Sequence, residues 1–189
     1  MELFSERVIE LFRTIHPLDR VQRAGYVLRG VSEPESIAAH SHFVAVLTLL
    51  FVDEYPDLYD ARKALAMALV HDLSEAKLMD IPMPYADSYL AEAKDTAEQT
   101  IIEELLDGFR GDLAKYHAEL LSLGSPEARL VRALDKAQMM LKVLSYEQEH
   151  RGRLQEFWEN PKNFQDYGCE PVSKLFDAIC DAVRRPRPK

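Results

Sequence analysis

A histidine and an aspartate stand side by side at His71 and Asp72, directly after the apolar run ALAMALV of residues 64–70, and Glu75 follows close behind. Charged groups stay out of buried helices unless something pairs with them. Two further segments repeat the anomaly. His40 falls in the helical stripe Ile37, His40, Val44, Leu47 and Phe51, and Asp135 shares one side of its segment with Val131 and Gln138. The stripe before Glu75 is Ala64, Met67, Ala68 and His71, with Asp72 adjacent. Three segments therefore each aim an imidazole or a carboxylate at or near the core face.

Each group alone has an ordinary explanation. A histidine in an apolar stripe is commonly a hydrogen-bonded core residue. Asp135 has Lys136 and Arg132 as neighbours for a surface ion pair. Burying all four separately is costly, whereas one divalent cation would satisfy His40, His71, Asp72 and Asp135 together. Two imidazoles and two carboxylates form a mixed nitrogen and oxygen set suited to Mn, Co, Fe, Ni or Zn. Such an ion lowers the pKa of a water and polarises a phosphoryl oxygen. Glu75, read as one helical turn past His71, can reach that water. Arg23, in the stretch VQRAGY, can hold a phosphate through two parallel hydrogen bonds, which a lysine cannot copy.

The elements that must position these groups read as helices. Residues 3–15 carry Leu3, Phe4, Val8, Leu11, Phe12 and Ile15 at helical spacing, ended by Pro17, and 17–32 read as a loop or short extended stretch. Ser32 with Glu35 makes a capping box around Pro34, which predicts a central helix over 33–54. A third helix is expected over 60–78, and an exposed amphipathic one over 87–109. Further helices are expected at 112–122, at 126–149 capped by Ser125, at 151–159 and at 171–184. No segment alternates convincingly as a strand, so the expected class is an all-α bundle. The basic end RRPRPK is expected to fray.

Size and charge narrow the partners. A chain of 189 residues with a net charge of -9 suits one domain and disfavours a broad nucleic-acid surface. The apolar run from Phe43 to Val52 is too short to span a bilayer. The opening MELFSE lacks a basic leader, and Cys169 and Cys180 read as a pair of reduced thiols. The expectation is a cytoplasmic protein, with a homodimer formed through the amphipathic helix at 87–109. His42 faces away from His40, and His117 and His150 sit among charged residues as expected solvated groups.

The ordered set is similar to the HD-domain phosphohydrolase superfamily, and within it to the small bacterial 5'-deoxynucleotidase and HD domain-containing protein 2 family. The likeness rests on VQRAGYVLRGVSEPESIAAHS, on ALVHDLSEAKLMDIP and on RALDKAQMMLKVLSYEQE, and covers residues 5–165. It implies one HD domain over 1–189, with the C-terminal helix and basic tail outside the core. It implies that His40, His71, Asp72 and Asp135 hold one divalent ion (Co, Mn, Fe, Ni, Zn or Mg). Glu75 then matches a catalytic acid or base, Asp80 a second acidic residue at the reaction centre, and Arg23 the arginine that grips substrate phosphate. Superfamily members with two metals carry extra histidines between the His-Asp pair and the last aspartate. Only His117 lies there, which implies a single ion.

The implied activity is hydrolysis of (deoxy)nucleoside 5'-monophosphates to nucleoside and phosphate. Two alternatives stay open: a (deoxy)nucleoside triphosphate triphosphohydrolase, drawing on Arg20, Arg23, Arg29 and Lys77, and a non-catalytic nucleotide-binding module. Arg29 and Lys136 are candidate neighbours of the site. Bacterial members of the family carry a tryptophan after the phosphate-gripping arginine. This chain has Ala24 there, with Tyr26 as the nearest aromatic.

Overall fold

The computed structural model describes residues 3–188. Among them the chain is helical throughout, with one isolated antiparallel bridge between Gln22 and Ser36. The helices are α1 (Phe4–Ile15), α2 (Ala24–Val27), α3 (Ile37–Glu54), α4 (Ala61–Val70), α5 (Glu75–Leu78), α6 (Met83–Tyr85), α7 (Ala91–Leu106), α8 (Leu113–Leu121), α9 (Pro126–Gln148), α10 (Gln155–Glu159) and α11 (Glu170–Ala182).

Helix α9 is the axis. Ser125 caps it by accepting from the Ala128 N–H, and Pro126 occupies the first turn, where its missing donor costs nothing. Leu130, Val131, Ala133, Leu134, Ala137, Met140 and Val143 are fully buried, so the helix is covered on nearly every side. Helices α3, α4, α8 and α11 pack around it. Helix α3 is long and apolar enough to cross a membrane by length and composition, but it lies against α4 and α9 with His40 wholly buried.

Several expected boundaries move, each for a local reason. The central helix starts at Ile37, capped by Ser36 rather than Ser32. Residues 32–36 instead pair with the Arg23 segment: Arg23 N–H donates to Glu35 O (3.1 Å) and Ile37 N–H to Val21 O (2.8 Å). Pro34 disfavours right-handed helix at Glu33, which instead takes the left-handed φ of 49° and turns the chain. The stretch expected as loop also contains the short helix α2.

The helix expected over 60–78 is two. It starts under the Asp60 cap and ends at Val70, and His71 to Ser74 form tight turns before α5. His71 Nδ1 donates to Ala68 O (2.8 Å), the carbonyl that a continuing helix would offer to the Asp72 N–H. Past α5, Met79 takes φ 65° and ψ 169°, which turns the chain so that Asp80 heads back towards α2.

Helix α7 begins at Ala91, later than expected, and its apolar side is covered: Ile102, Leu105 and Leu106 pack with Leu11, Ile15, Leu73 and Leu113. Exposed apolar side chains lie on α1 (Phe4, Ile9, Phe12), on α3 (Phe43, Val46, Leu50) and just ahead of α7 (Tyr89, Leu90). The C-terminal residues are tied down rather than frayed. Arg187 donates to Phe164 O (2.7 Å), pairs with Asp166 (3.0 Å) and covers the Phe176 ring, while Arg185 covers Trp158. His117 is buried, against the expectation of a solvated group, with Nδ1 3.0 Å from Gln99 Oε1. Its charged form is disfavoured, chiefly by burial and then by His71, which brings its pKa down to about 4. His42 and His150 are exposed as expected.

Candidate metal centre and cleft

The turn after α4 and the first turns of α3 bring three side chains to one point, and the middle of α9 sets Asp135 beside one of them, His40. His40 Nε2 lies 3.3 Å from His71 Nε2, 3.1 Å from Asp135 Oδ1 and 3.5 Å from Asp72 Oδ2. His71 Nε2 lies 3.2 Å from Asp72 Oδ2. The donor atoms of His40, His71 and Asp72 all fall within 4.8 Å of one another.

The outer nitrogens of both rings are engaged. His71 Nδ1 faces Ala68 O, and His40 Nδ1 lies 2.6 Å from Gln138 Oε1. Gln138 is held in that orientation because its Nε2 donates to the Glu35 carboxylate (3.0 Å). Both partners accept, so both Nδ1 atoms carry protons and both neutral rings present a bare Nε2 lone pair. Two lone pairs facing at 3.3 Å, flanked by two carboxylates, repel unless a cation or a proton lies between them. Asp72 Oδ2, moreover, is buried with no hydrogen-bond partner. This donor set fits one divalent cation.

The electrostatics agree. Burial opposes charge on every one of these groups, yet neighbours override it at three. The charges of His71, His40 and Arg23 hold the Asp72 carboxyl far below the usual carboxylate range. Asp135 is likewise low, through His40, Lys136 and Arg23. His71 is raised by Asp72 and Asp135, so in the absence of a metal a proton takes the cation's place. Glu75 goes the other way: burial first, then Asp72 and Asp80, push its carboxyl up to about 10. It is 4% exposed, and its Oε2 has no partner.

The cluster forms the floor of a cleft of about 590 Å³ whose lining includes Arg23, Asp72, Glu75, Asp80, Arg132 and Asp135. Arg23 Nη1 lies 3.6 Å from Asp72 Oδ2. Asp80 accepts from the Ala24 N–H (2.5 Å), so it holds the start of α2 beside the arginine. Tyr26 is buried, donates to Met139 O (2.9 Å) and stacks on Phe157 (5.3 Å, 22°). Of that stacked pair Tyr26 is fully buried and Phe157 only partly, so Phe157 is the ring offered to the cleft.

Of the seven sequence-derived site residues, His40, His71 and Asp72 cluster, Asp135 stands beside His40, and Arg23, Glu75 and Asp80 line the same cleft. Of the other cations proposed for a longer phosphate chain, only Arg29 lines the cleft. Arg20 is exposed beside Asp19, Lys77 reaches outward to Glu104 (2.8 Å), and Arg29 is engaged by Glu156 (2.5 Å). Sequence reasoning also missed four residues. Gln138 was visible on the Asp135 side of α9, but its bond to His40 depends on tertiary contact. Glu35 read as a cap. Arg132 read as a surface partner of Asp135, and Lys94 drew no notice on a helix expected to be exposed.

Residues 15–169 match the family model described as HD domain. The human protein named 5'-deoxynucleotidase HDDC2 is 33% identical over 162 residues, which span 82% of this chain and 77% of that protein. A solved structure of a conserved hypothetical protein from Pyrococcus furiosus is 32% identical, with a TM-score of 0.77, covering 94% of this chain and 99% of that one. A structure titled as a predicted metal-dependent phosphohydrolase from Magnetospirillum magnetotacticum shares the fold at 20% identity. Its TM-score is 0.70, over 100% of this chain and 99% of its own.

Proposed function

We propose that this chain, which belongs to the HD domain family, hydrolyses nucleoside 5'-monophosphates to nucleoside and phosphate. It is a metal-dependent nucleotide phosphohydrolase. The observation that carries the finer reading is the pair of bare imidazole nitrogens 3.3 Å apart between two carboxylates, with an arginine beside them at the floor of a nucleotide-sized cleft. His40, His71, Asp72 and Asp135 are the residues that would hold the divalent cation. When bound, that ion supplies Lewis acidity to a water and to a phosphoryl oxygen.

The chain's own residues do the rest. Arg23 binds two phosphate oxygens and offsets the charge that grows as water oxygen bonds to phosphorus and the bond from phosphorus to the 5'-oxygen breaks. Glu75 is the proton carrier. Its raised pKa lets it hold a proton at neutral pH and deliver it to the departing 5'-oxygen, and its carboxylate then takes up the proton that the attacking water loses. Asp80 positions Arg23 through its bond to the Ala24 N–H and adds a second carboxyl at the centre. Phe157 offers a ring face to the sugar or base. Ala24 stands where bacterial members carry the tryptophan that bars a ribose 2'-hydroxyl, so AMP is tested beside dAMP.

The monophosphate is favoured over a triphosphate because Arg20 and Lys77 do not line the cleft and Arg29, which does, is engaged by Glu156. The retention of Glu75 and Asp80 beside the ligands supports catalysis over a binding module. Two buried free thiols, Cys169 and Cys180, support a reducing cytoplasmic setting. A homodimer is supported by the exposed apolar side chains of α3 and α1, now that α7 is covered within the chain. The decisive experiment is a screen of dAMP, AMP and dATP with Co²⁺, Mn²⁺, Mg²⁺ and Zn²⁺, reading phosphate against triphosphate. Phosphate from a monophosphate, abolished by Asp72→Ala, is the expected result. Metal-loaded protein that releases neither product from any nucleotide would end the proposal.

A further inference from the structure

We propose that Arg132, assisted by Lys94, is a second cationic grip on the substrate phosphate, opposite Arg23; this rests on the phosphohydrolase reading above. Arg132 lies on α9 one turn before Asp135, so the two side chains project from the same side of the helix. It lines the same cleft as Arg23, Asp72 and Asp135.

Arg29, on the same cleft, is already held by Glu156. Arg132 differs. Among the described residues no hydrogen bond or ion pair within 4 Å reaches its guanidinium, although it is only partly exposed. Burial opposes its charge, but Asp135, Tyr167, Asp72 and Glu98 at longer range keep it firmly protonated. A guanidinium brings five donors, and in this open cleft they stay accessible to a ligand oxygen. Asp72 and Asp135 attract the guanidinium without bonding it, so it is available to an anionic acceptor from outside.

Lys94 approaches from α7. Its Nζ contacts Glu98 Oε1 at 2.6 Å, and it also senses Asp72 and Glu75. An ammonium has three donors, so this contact leaves others for a ligand. Arg23 ahead of α2, Lys94 on α7 and Arg132 on α9 therefore all line this cleft, and each feels the charge of Asp72. A phosphate monoester dianion presents three peripheral oxygens, one for each cation. Once a divalent ion offsets Asp72 and Asp135, the attraction that these carboxylates exert on Arg132 is spent, and its charge is free for the substrate.

The test uses the Mn²⁺-loaded full chain with inorganic phosphate as probe, read by calorimetric titration, alongside KM for dAMP. Arg132→Met is expected to weaken phosphate binding and raise KM by roughly 10- to 100-fold, the loss of charged hydrogen bonds. Arg132→Lys recovers part of this, and Lys94→Met gives a smaller loss of the same kind. Bound manganese and the thermal melt stay at wild-type values. Phosphate affinity unchanged in both Met variants overturns the inference, as does a loss that tracks departure of the metal. A wild-type protein that hydrolyses dAMP while Arg132→Met keeps its KM sinks the grip and spares the phosphohydrolase reading. One that binds phosphate through Arg132 yet hydrolyses nothing does the reverse.

Discussion

Replacing Glu75 by Gln is expected to stabilise the metal-free protein at neutral and alkaline pH and to leave it unaltered in acid. The Glu75 carboxyl titrates near 4.5 when unperturbed and is pushed up to about 10 in the fold, by burial first and then by Asp72 and Asp80. Between those values the folded chain retains a proton that the unfolded chain has released. Stability is therefore fully present below the lower value and drains away as pH rises through the window, the opposite of an ordinary ion-paired carboxylate. Each pH unit costs about 1.4 kcal/mol, so at about pH 7 the penalty is up to about 3 kcal/mol. Glutamine keeps the shape and cannot titrate. For a chain of this size the gain is a rise in Tm of roughly 5–10 °C. Melts of chelator-treated wild type and Glu75→Gln, followed from acid to alkaline pH, should coincide in acid and diverge upward. Parallel curves at every pH would show that Glu75 titrates normally and would refute the proton-carrier assignment. In the metal-loaded enzyme the same substitution should lower kcat by about 100-fold or more.

Gln138→Leu leaves the His40 Nδ1 proton unmet and the ring free to turn, so metal affinity should fall by roughly 10- to 100-fold in a chelator competition titration. Met79→Gly relieves a backbone conformation that side chains resist, and should raise stability by about 1 kcal/mol with activity unchanged, seen in denaturant unfolding. Gly152→Ala should cost about 2–4 kcal/mol in the same assay, because Gly152 has φ +75° and a Cβ there would meet Val31 Cγ2 at 2.5 Å.

The sequence was readable where one helix explains one pattern. Ser125 and Pro126 start α9 as expected, and the stripes through His40 and Asp135 turn inward. It was misleading where a distant segment competes for the same backbone groups. The Ser32 capping box is a sound local signal, yet the Arg23 segment pairs with residues 34–36 and moves the start to Ser36. The apolar run before His71 reads as continuing helix, and only the imidazole's claim on Ala68 O breaks it. His117 looked polar in its neighbourhood because Lys115 and Glu119 point outward while it points in. Gln138, Lys94 and Arg132 carry no motif. Their significance lies in what α3, α7 and α9 place opposite one another, and spacing along a chain does not encode that.

The convergence of α3, the turn after α4, and α9 on one point has a consequence for the lifetime of the protein. A cation held there would clasp three elements that lie far apart along the chain, and it would bind the folded form alone. By mass action, a free metal concentration about a hundredfold above Kd would add about 2.7 kcal/mol to stability. A cell short of that metal would therefore hold fewer copies of the protein as well as less active ones, since unclasped chains open more often to proteases.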